Sequence, residues 1–345
     1  MERLSPIIQE AYGLQSRRIK KEKGRYICET ANGTMSVYIT HEPPEAIQQQ
    51  HNIKEHLAEN GFPWTDRFQP AVPVENRSDR VDLKRNDSKL KATGQPYIQL
   101  GREAYVMIKN PTRHRETDLE NEADVLQAFE YLARFHIAAR GVPQSAAIPV
   151  SPPMPEIYTR QISELTQAGK QARRGPRMSD FDVSFIKHAP IYSEIMQESI
   201  TRLAETNYVS LHAQAIAQGT ICHNALKEEN LLAASEATYI INFSEATIDL
   251  QLADLAALIR RYAQRSSKTI PVSYLLTAYD NINPLPQKAQ SILYPLLIFP
   301  WAFMKIITQY YSKKRNWTPG GLISRMETIL AERADYEKYV ETTVK

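Results

Sequence analysis

Cysteine is scarce in this chain: Cys28 and Cys222 are the only two in 345 residues. They lie too far apart in sequence to form a metal-binding or redox spacing. That excludes a small disulfide-stapled secreted scaffold, and predicts two buried free thiols and synthesis in a reducing compartment. An excess of one charge sign is also missing. The 42 basic and 39 acidic residues leave a net charge of +3, too weak a field to imply nucleic-acid binding. The basic run Arg17–Arg25 is read as a solvated hairpin. Long apolar runs are missing too. The N-terminal MERLSPIIQEAYGL carries charge and proline where a signal peptide needs an apolar stretch, so no targeting segment is expected. The most apolar stretch, Ile292–Ile307, is about 16 residues long and contains Pro295, Pro300 and Lys305. A spanning helix needs about 20 apolar residues, so this reads as a buried helix with no membrane insertion. Internal repeats and low-complexity tracts are absent.

What is present can bury a sizeable core, since 42% of the residues are apolar. The length allows one large or two modest domains. Residues 1–107 read as strand-rich. Arg25–Thr30 and Thr34–Thr40 flank Ala31-Asn32-Gly33, and Asn-Gly between β-prone runs is a strong hairpin signal. Glu45–Asn60 has helical character and is ended by Gly61 and Pro63. Glu75–Gly94 is almost wholly polar, and reads as a solvated excursion. Tyr97–Leu100 and Ala104–Ile108 form another predicted hairpin, turning at Gly101-Arg102. Lys109-Asn110-Pro111 then serves as a hinge, which sets the boundary between residues 1–107 and 108–345. Beyond it, Thr117 and Glu120 suit a capping box, opening a helix with Leu126, Phe129, Leu132, Ala133 and His136 on one face. Val142–Glu156 holds five prolines and reads as an extended connector. Helices are predicted over Phe185–Glu205, Tyr274–Tyr279 and Gln287–Tyr311.

Ile221–Asp254 carries the most chemistry. A kinase catalytic loop has the form H-R-D-x-x-x-x-N and is followed by a strand ending in a D-F-G type turn. His223 stands at the His position and Asn230 falls where the metal-binding Asn belongs, but the position of the catalytic Asp is Ala225. The apolar run Tyr239-Ile240-Ile241 leads to Asn242-Phe243-Ser244, where an Asp would open the turn. Both carboxylates are missing. An alanine cannot accept a hydroxyl proton, and losing a general base costs about 10²–10⁴-fold. Asn242 offers an oxygen without the charge that holds a divalent ion. No other metal site is expected: His136 and His56 lie on amphipathic helices without partners at metal spacing, and read as packed histidines.

The wider sequence resembles the CotS-type spore coat proteins, the CotS, YsxE and YutH group, which are kinase-like relatives of the aminoglycoside and choline phosphotransferases. The resemblance runs from about residue 10 to 340. It rests on His56–Pro63, Leu132–His136, Asp254-Leu255-Ala256 with Ile259–Tyr262, Phe299-Pro300-Trp301 and Tyr310–Trp317. It implies an α+β, bilobal, protein-kinase-like fold with a small β-rich N-lobe and a large helical C-lobe. Active relatives have a lysine on the third N-lobe strand; here that position falls near Tyr38. The helix carboxylate that would orient it falls near Gln50 or His51. The combined losses at Tyr38, Ala225 and Asn242 are closest to the degenerate YutH-like branch. Asp254 resembles a structural aspartate that braces the catalytic loop. The resemblance therefore implies a catalytically inactive pseudokinase with a structural or assembly role in the endospore coat. It would be made in the mother-cell cytoplasm, partner other coat proteins and need no cofactor, its cleft at Tyr38, Asn230 and Asn242 being vestigial. One alternative is a weak or atypical phosphotransferase using ATP and Mg²⁺, with Glu228, Glu229 or Glu245 as a substitute carboxylate. Another is a module that binds nucleotide through Asn230 and Asn242 without turnover.

Overall fold

The computed structural model describes residues 4–22, 25–31, 33–71, 95–100, 104–109, 114–143, 146–174, 177–267, 270–312 and 319–341. The polar stretch Glu75–Gly94, the turn Gly101-Arg102, the hinge residues Asn110-Pro111 and the segment Lys313–Trp317 lie outside them. The chain divides into two compact units that alternate in sequence. The first comprises Met1–Thr117, Val142–Ile148 and Glu228–Ala246, and the second Asp118–Gly141, Pro149–Lys227 and Thr247–Lys345.

In the first unit, Leu4–Tyr12 forms α1, followed by antiparallel strands Ser16–Glu22 (β1), Arg25–Thr30 (β2) and Gly33–Thr40 (β3). Pro44–Glu59 is α2, and Ile98–Leu100 (β4) and Ala104–Lys109 (β5) complete a sheet of order β1-β2-β3-β5-β4. Both predicted hairpins are present. At the first, Gly33 adopts φ +110°, a conformation that favours glycine, and Thr30 Oγ1 donates to its carbonyl at 2.7 Å. Strand alternation separates two cores. Val37, Val106 and Ile108 pack with Ile8, Ala11 and Tyr12 of α1. Met107 joins Ile47 of α2 and Phe68. The basic run lies largely on β1, an edge strand, where charged side chains discourage pairing with another chain.

Arg115–Glu116 (β6) also belongs to this unit. The chain then crosses into the second unit with Glu122–Ala138 (α3), Met154–Ala172 (α4), Asp180–Ala204 (α5), Tyr208–Gln218 (α6) and Ile221–Cys222 (β7). It returns to the first for a short turn of helix at Glu228–Asn230 and the strands Leu231–Ala233 (β8) and Thr238–Ile240 (β9), which pair in the order β6-β8-β9. Thr247–Ile248 (β10) pairs with β7, and five helices end the second unit: Leu252–Arg265 (α7), Val272–Asp280 (α8), Ala289–Ile298 (α9), Trp301–Tyr311 (α10) and Pro319–Glu341 (α11).

The predicted capping box at Thr117 and Glu120 does not form. Asn121 is the N-cap of α3, accepting from the Asp124 backbone N–H. Thr117 Oγ1 donates to the Leu231 carbonyl at 2.8 Å, and the Glu120 carboxylate accepts from Ser267. A capping box does occur at Ser179 and Asp182, at the start of α5. The stretch Ala289–Tyr311 has the length and mean hydropathy (1.5) of a membrane span by composition, and about half of its apolar window is buried. It folds as two helices broken at Phe299-Pro300. Three stacked ring pairs, each with centroids 3.7 Å apart, hold this region to α4 and α5: Tyr158–Phe299, Phe181–Tyr310 and Tyr192–Phe303. Cys28 and Cys222 are buried free thiols, and burial raises both pKa values.

Candidate functional site

The motif positions fall in both units. In the second, β7 runs into His223-Asn224-Ala225, and Asp254 in the first turn of α7 anchors the backbone there. Asp254 Oδ2 accepts from the His223 N–H at 2.5 Å, and Oδ1 from the Asn224 N–H at 2.9 Å. Asn224 takes φ +60°, and its Nδ2 donates to Thr247 Oγ1 at 2.8 Å. The Ala225 N–H donates to His223 Nδ1 at 3.2 Å, so this ring nitrogen acts as an acceptor and the proton of a neutral ring sits on Nε2. The loop is thus held by a carboxylate that faces its backbone, while the residue at the base position presents an 8% exposed methyl group.

Asp254 is itself buried in a polar network. His136 Nε2 lies 3.4 Å from Oδ2, His136 Nδ1 is 2.7 Å from Tyr279 Oη, and Asn283 Nδ2 donates to the same phenol at 2.7 Å. Burial opposes the Asp254 charge, but contacts with His136 and His223 outweigh it and hold its pKa below the ordinary carboxylate value. Burial lowers the His136 pKa, and the neighbouring Asp254 offsets this only in part. His136 is therefore a packed, hydrogen-bonded histidine, as its place on an amphipathic helix implied.

The first unit holds the other motif positions. Asn230 and Asn242 meet: Asn242 Nδ2 donates to Asn230 Oδ1 at a long 3.4 Å, and the Ile241 N–H donates to the Asn230 carbonyl at 3.0 Å. Asn242 adopts φ +65°, which asparagine and aspartate tolerate better than most side chains. Asparagine therefore meets the backbone requirement of the turn without supplying charge. Ser244 Oγ donates to Asn242 Oδ1 at 3.1 Å, so that oxygen too is engaged. Glu228, Glu229 and Glu245 also lie in this unit, Glu228 half-buried and Glu229 and Glu245 exposed.

Tyr38 lies on β3, opposite Met107 of β5. The strand has no lysine, yet an ammonium group is present: Lys109 Nζ, at the end of β5, sits 4.9 Å from the Tyr38 ring centroid. Lys109 pairs with Asp66 at 2.9 Å, and Lys54 of α2 pairs with the other carboxylate oxygen, also at 2.9 Å. The Asn242 N–H points to Asp66 Oδ1 at 3.5 Å. Burial pushes Lys54 down to about 7 despite Asp66. Lys109 stays above its ordinary value because Asp66 outweighs the burial penalty. Asp66 falls below the usual carboxylate range because the two lysines together overcome its own burial. Gln50 is not part of this cluster; its Nε2 donates to Glu42 at 2.9 Å. His51 lies near Glu55, and burial lowers its pKa.

Sequence reasoning missed Lys54, Asp66 and Lys109. The signal for Lys54 was its spacing: Ile47, Gln50, Lys54 and Leu57 lie three, four and three residues apart, on the buried face of α2. Lys109 ends the buried run Val106-Met107-Ile108. Asp66 sits in a loop and gave no comparable signal.

The residues at Asn230 and Asn242 do not suit Mg²⁺, which is ordinarily held through one or two carboxylates. Both are neutral amides engaged with each other, and the carboxylate near the turn, Asp66, carries two lysines. No group of three or more His, Cys, Asp or Glu is placed to hold a metal ion among the described residues.

Comparison with known proteins gives a consistent picture. A family model described as "Spore coat putative kinase YutH" matches residues 5–343. Spore coat protein S of Bacillus subtilis (strain 168) is 27% identical over 141 residues, a match spanning 40% of each chain. Among solved structures, an aminoglycoside phosphotransferase from Alicyclobacillus acidocaldarius superposes with a TM-score of 0.77 at 15% identity, covering 95% of this chain and 91% of the other. A spectinomycin phosphotransferase, solved in complex with ADP and spectinomycin, superposes with a TM-score of 0.60 at 12% identity, covering 99% and 97%. At such identities the structures establish the fold: a phosphotransferase-like α+β architecture with a small N-terminal sheet and a large helical C-terminal region.

Proposed function

The chain belongs to the YutH family of spore coat kinase-like proteins, and on that premise we propose that it is a catalytically inactive component of the endospore coat with a structural or assembly role. It is made in the mother-cell cytoplasm and is assembled with other coat proteins into the spore coat. The observation that carries this reading is Ala225. Asp254 still grips the loop backbone at His223 and Asn224, so the frame is retained where the proton acceptor is gone. Two features of the first unit support it. Asn242 donates its amide to the Asn230 side-chain oxygen and accepts from Ser244, and Asp66 is paired with both Lys54 and Lys109. Phosphoryl transfer depends on positioned Mg²⁺ and charge stabilisation, and the chain supplies little of either at these positions.

The test is calorimetric titration of the full chain with ATP, with and without Mg²⁺. The expected result is no heat at millimolar nucleotide. Micromolar binding that tightens with Mg²⁺ would overturn the inactive-cleft reading and favour the weak phosphotransferase. The double substitution Ala225→Asp with Asn242→Asp then separates decay from redesign, since a preserved scaffold regains phosphorylation when both carboxylates return.

A further inference from the structure

The second unit contains a cavity to which none of the kinase-motif residues contributes. It opens among α5, α7, α10 and α11 and has a volume of about 280 Å³. Part of its wall is aromatic. Tyr192 lies flat on Phe303, with planes 12° apart, and Phe299 tilts against Trp301 with centroids 4.7 Å apart. Another part is charged, with five arginines, Arg260 and Arg333 among them, and two glutamates in the wall.

Two polar groups in this wall have hydrogen-bonding capacity beyond the partners described for them. Tyr192 is 3% exposed, and its hydroxyl oxygen has no hydrogen-bond partner among the described residues. A buried hydroxyl left without a partner is destabilising, so a group from outside the chain would relieve it. Arg260 is half-buried and donates through Nη1 to the Leu296 carbonyl at 2.9 Å. It has no carboxylate at ion-pair distance among the described residues, although a guanidinium offers five N–H donors. Arg333, in contrast, is paired with Glu337 at 2.9 Å, one turn along α11.

We infer that this cavity binds a small organic carboxylate with a flat apolar ring, the ring resting among Phe299 and Trp301 and the carboxylate meeting Arg260 and the Tyr192 hydroxyl. The chemistry limits the class of ligand. An apolar cavity of roughly 150 Å³ accepts benzene, so this volume takes a ring, its carboxylate and a water. Inorganic phosphate matches the charge but leaves the aromatic wall unfilled. A neutral arene fills the wall but leaves Arg260 unmatched. Planar, bidentate recognition of a carboxylate is what a guanidinium does best.

The experiment is saturation-transfer NMR on the full chain with benzoate, benzamide and inorganic phosphate as probes. Benzoate should bind saturably and be displaced by naphthoate, while benzamide binds at least about tenfold more weakly, the loss expected for one charge-assisted contact. Tyr192→Phe should weaken benzoate by about the same factor, while the thermal midpoint holds or rises because an unpaired hydroxyl has been removed. Ala302→Leu, which adds bulk to the wall from an independent position, should weaken binding as well. Absence of benzoate binding at millimolar concentration overturns the inference. So does equal binding of benzamide, and so does phosphate displacing benzoate with equal affinity, since the ring would then add nothing. Unchanged benzoate affinity in Tyr192→Phe removes the hydroxyl from the site and overturns the proposed placement of the carboxylate.

Discussion

Asp66 accepts from two buried lysines and from a backbone amide, so its cluster carries one more positive than negative charge. The two cations are not equivalent. Lys109 keeps its proton firmly, whereas burial brings Lys54 down to about 7. Removing one partner of a buried ion pair costs about 3–5 kcal/mol, while replacement by an apolar side chain can be neutral when the remaining charges match. Asp66→Asn should therefore lower the urea unfolding free energy by about 3–5 kcal/mol, because two buried ammoniums lose their counter-ion. Lys54→Met leaves a matched Lys109–Asp66 pair and should cost less than about 1 kcal/mol. Equal losses in the two variants would mean the pairing is not arranged as described. A second residue-level expectation concerns acid. The folded-state pKa of His136 lies below its unfolded value, so the unfolded chain takes up the proton first. The stabilising contribution is present above about pH 6.5, the unfolded histidine value, and declines as pH falls from there through the folded pKa. Asp254, also depressed, adds a loss at lower pH, as its carboxylate protonates through its folded pKa. Urea unfolding followed between about pH 7 and 5 should show stability falling with pH, with a shallower slope in His136→Gln. An unchanged slope in that variant would exclude His136 as the source.

Among the helices, α3 shows how local chemistry chooses between competing signals. Thr117 and Glu120 have the spacing of a capping box, but each is drawn away by a partner distant in sequence, Leu231 and Ser267 respectively. Asn121 caps the helix instead. Asn121→Ala should cost about 1 kcal/mol, the usual value for an N-cap, read as a fall in thermal midpoint. Glu120→Ala should leave the cap intact and shift the midpoint less. The same competition acts at Phe299-Pro300, where proline and the stacked Tyr158 ring end an apolar stretch that would otherwise run on. The sequence pattern predicted the helical content of Gln287–Tyr311 and missed the break, because stacking partners on α4 are not visible in a local window.

For the molecule as a whole, the interleaving of the two units has a testable consequence. The first unit needs Glu228–Ala246 as well as its N-terminal residues. The Ile240 N–H donates to the Trp64 carbonyl at 3.0 Å, and the Thr117 N–H to the Leu231 carbonyl at 2.8 Å. A fragment of residues 1–117 contains the strands β1 to β5 but lacks β8, β9 and the Asn242 amide facing Asp66. It should lack the cooperative urea transition of the full chain; a transition of full sharpness would show that the returning segment adds little stability.

Residue type, spacing and periodicity were enough to reach the hairpins and about half of the helices, while the family was legible as a resemblance carried by its motifs. Residue type and spacing also sufficed for the replacement of two motif carboxylates by Ala225 and Asn242, since all of these are local facts. Asp254 as the brace of the His223 loop was legible through resemblance, and its hydrogen bonds to the loop give that role a physical form. The destination of the buried charges came from the three-dimensional fold. Lys109 lies over Tyr38 because β3 and β5 are neighbours in the sheet, and Asp66 gathers Lys54 and Lys109 from two other elements. The arginine-rich cavity likewise draws its wall from helices far apart in the chain. Burial and pairing of charge depend on which elements meet, and no window of sequence contains that information.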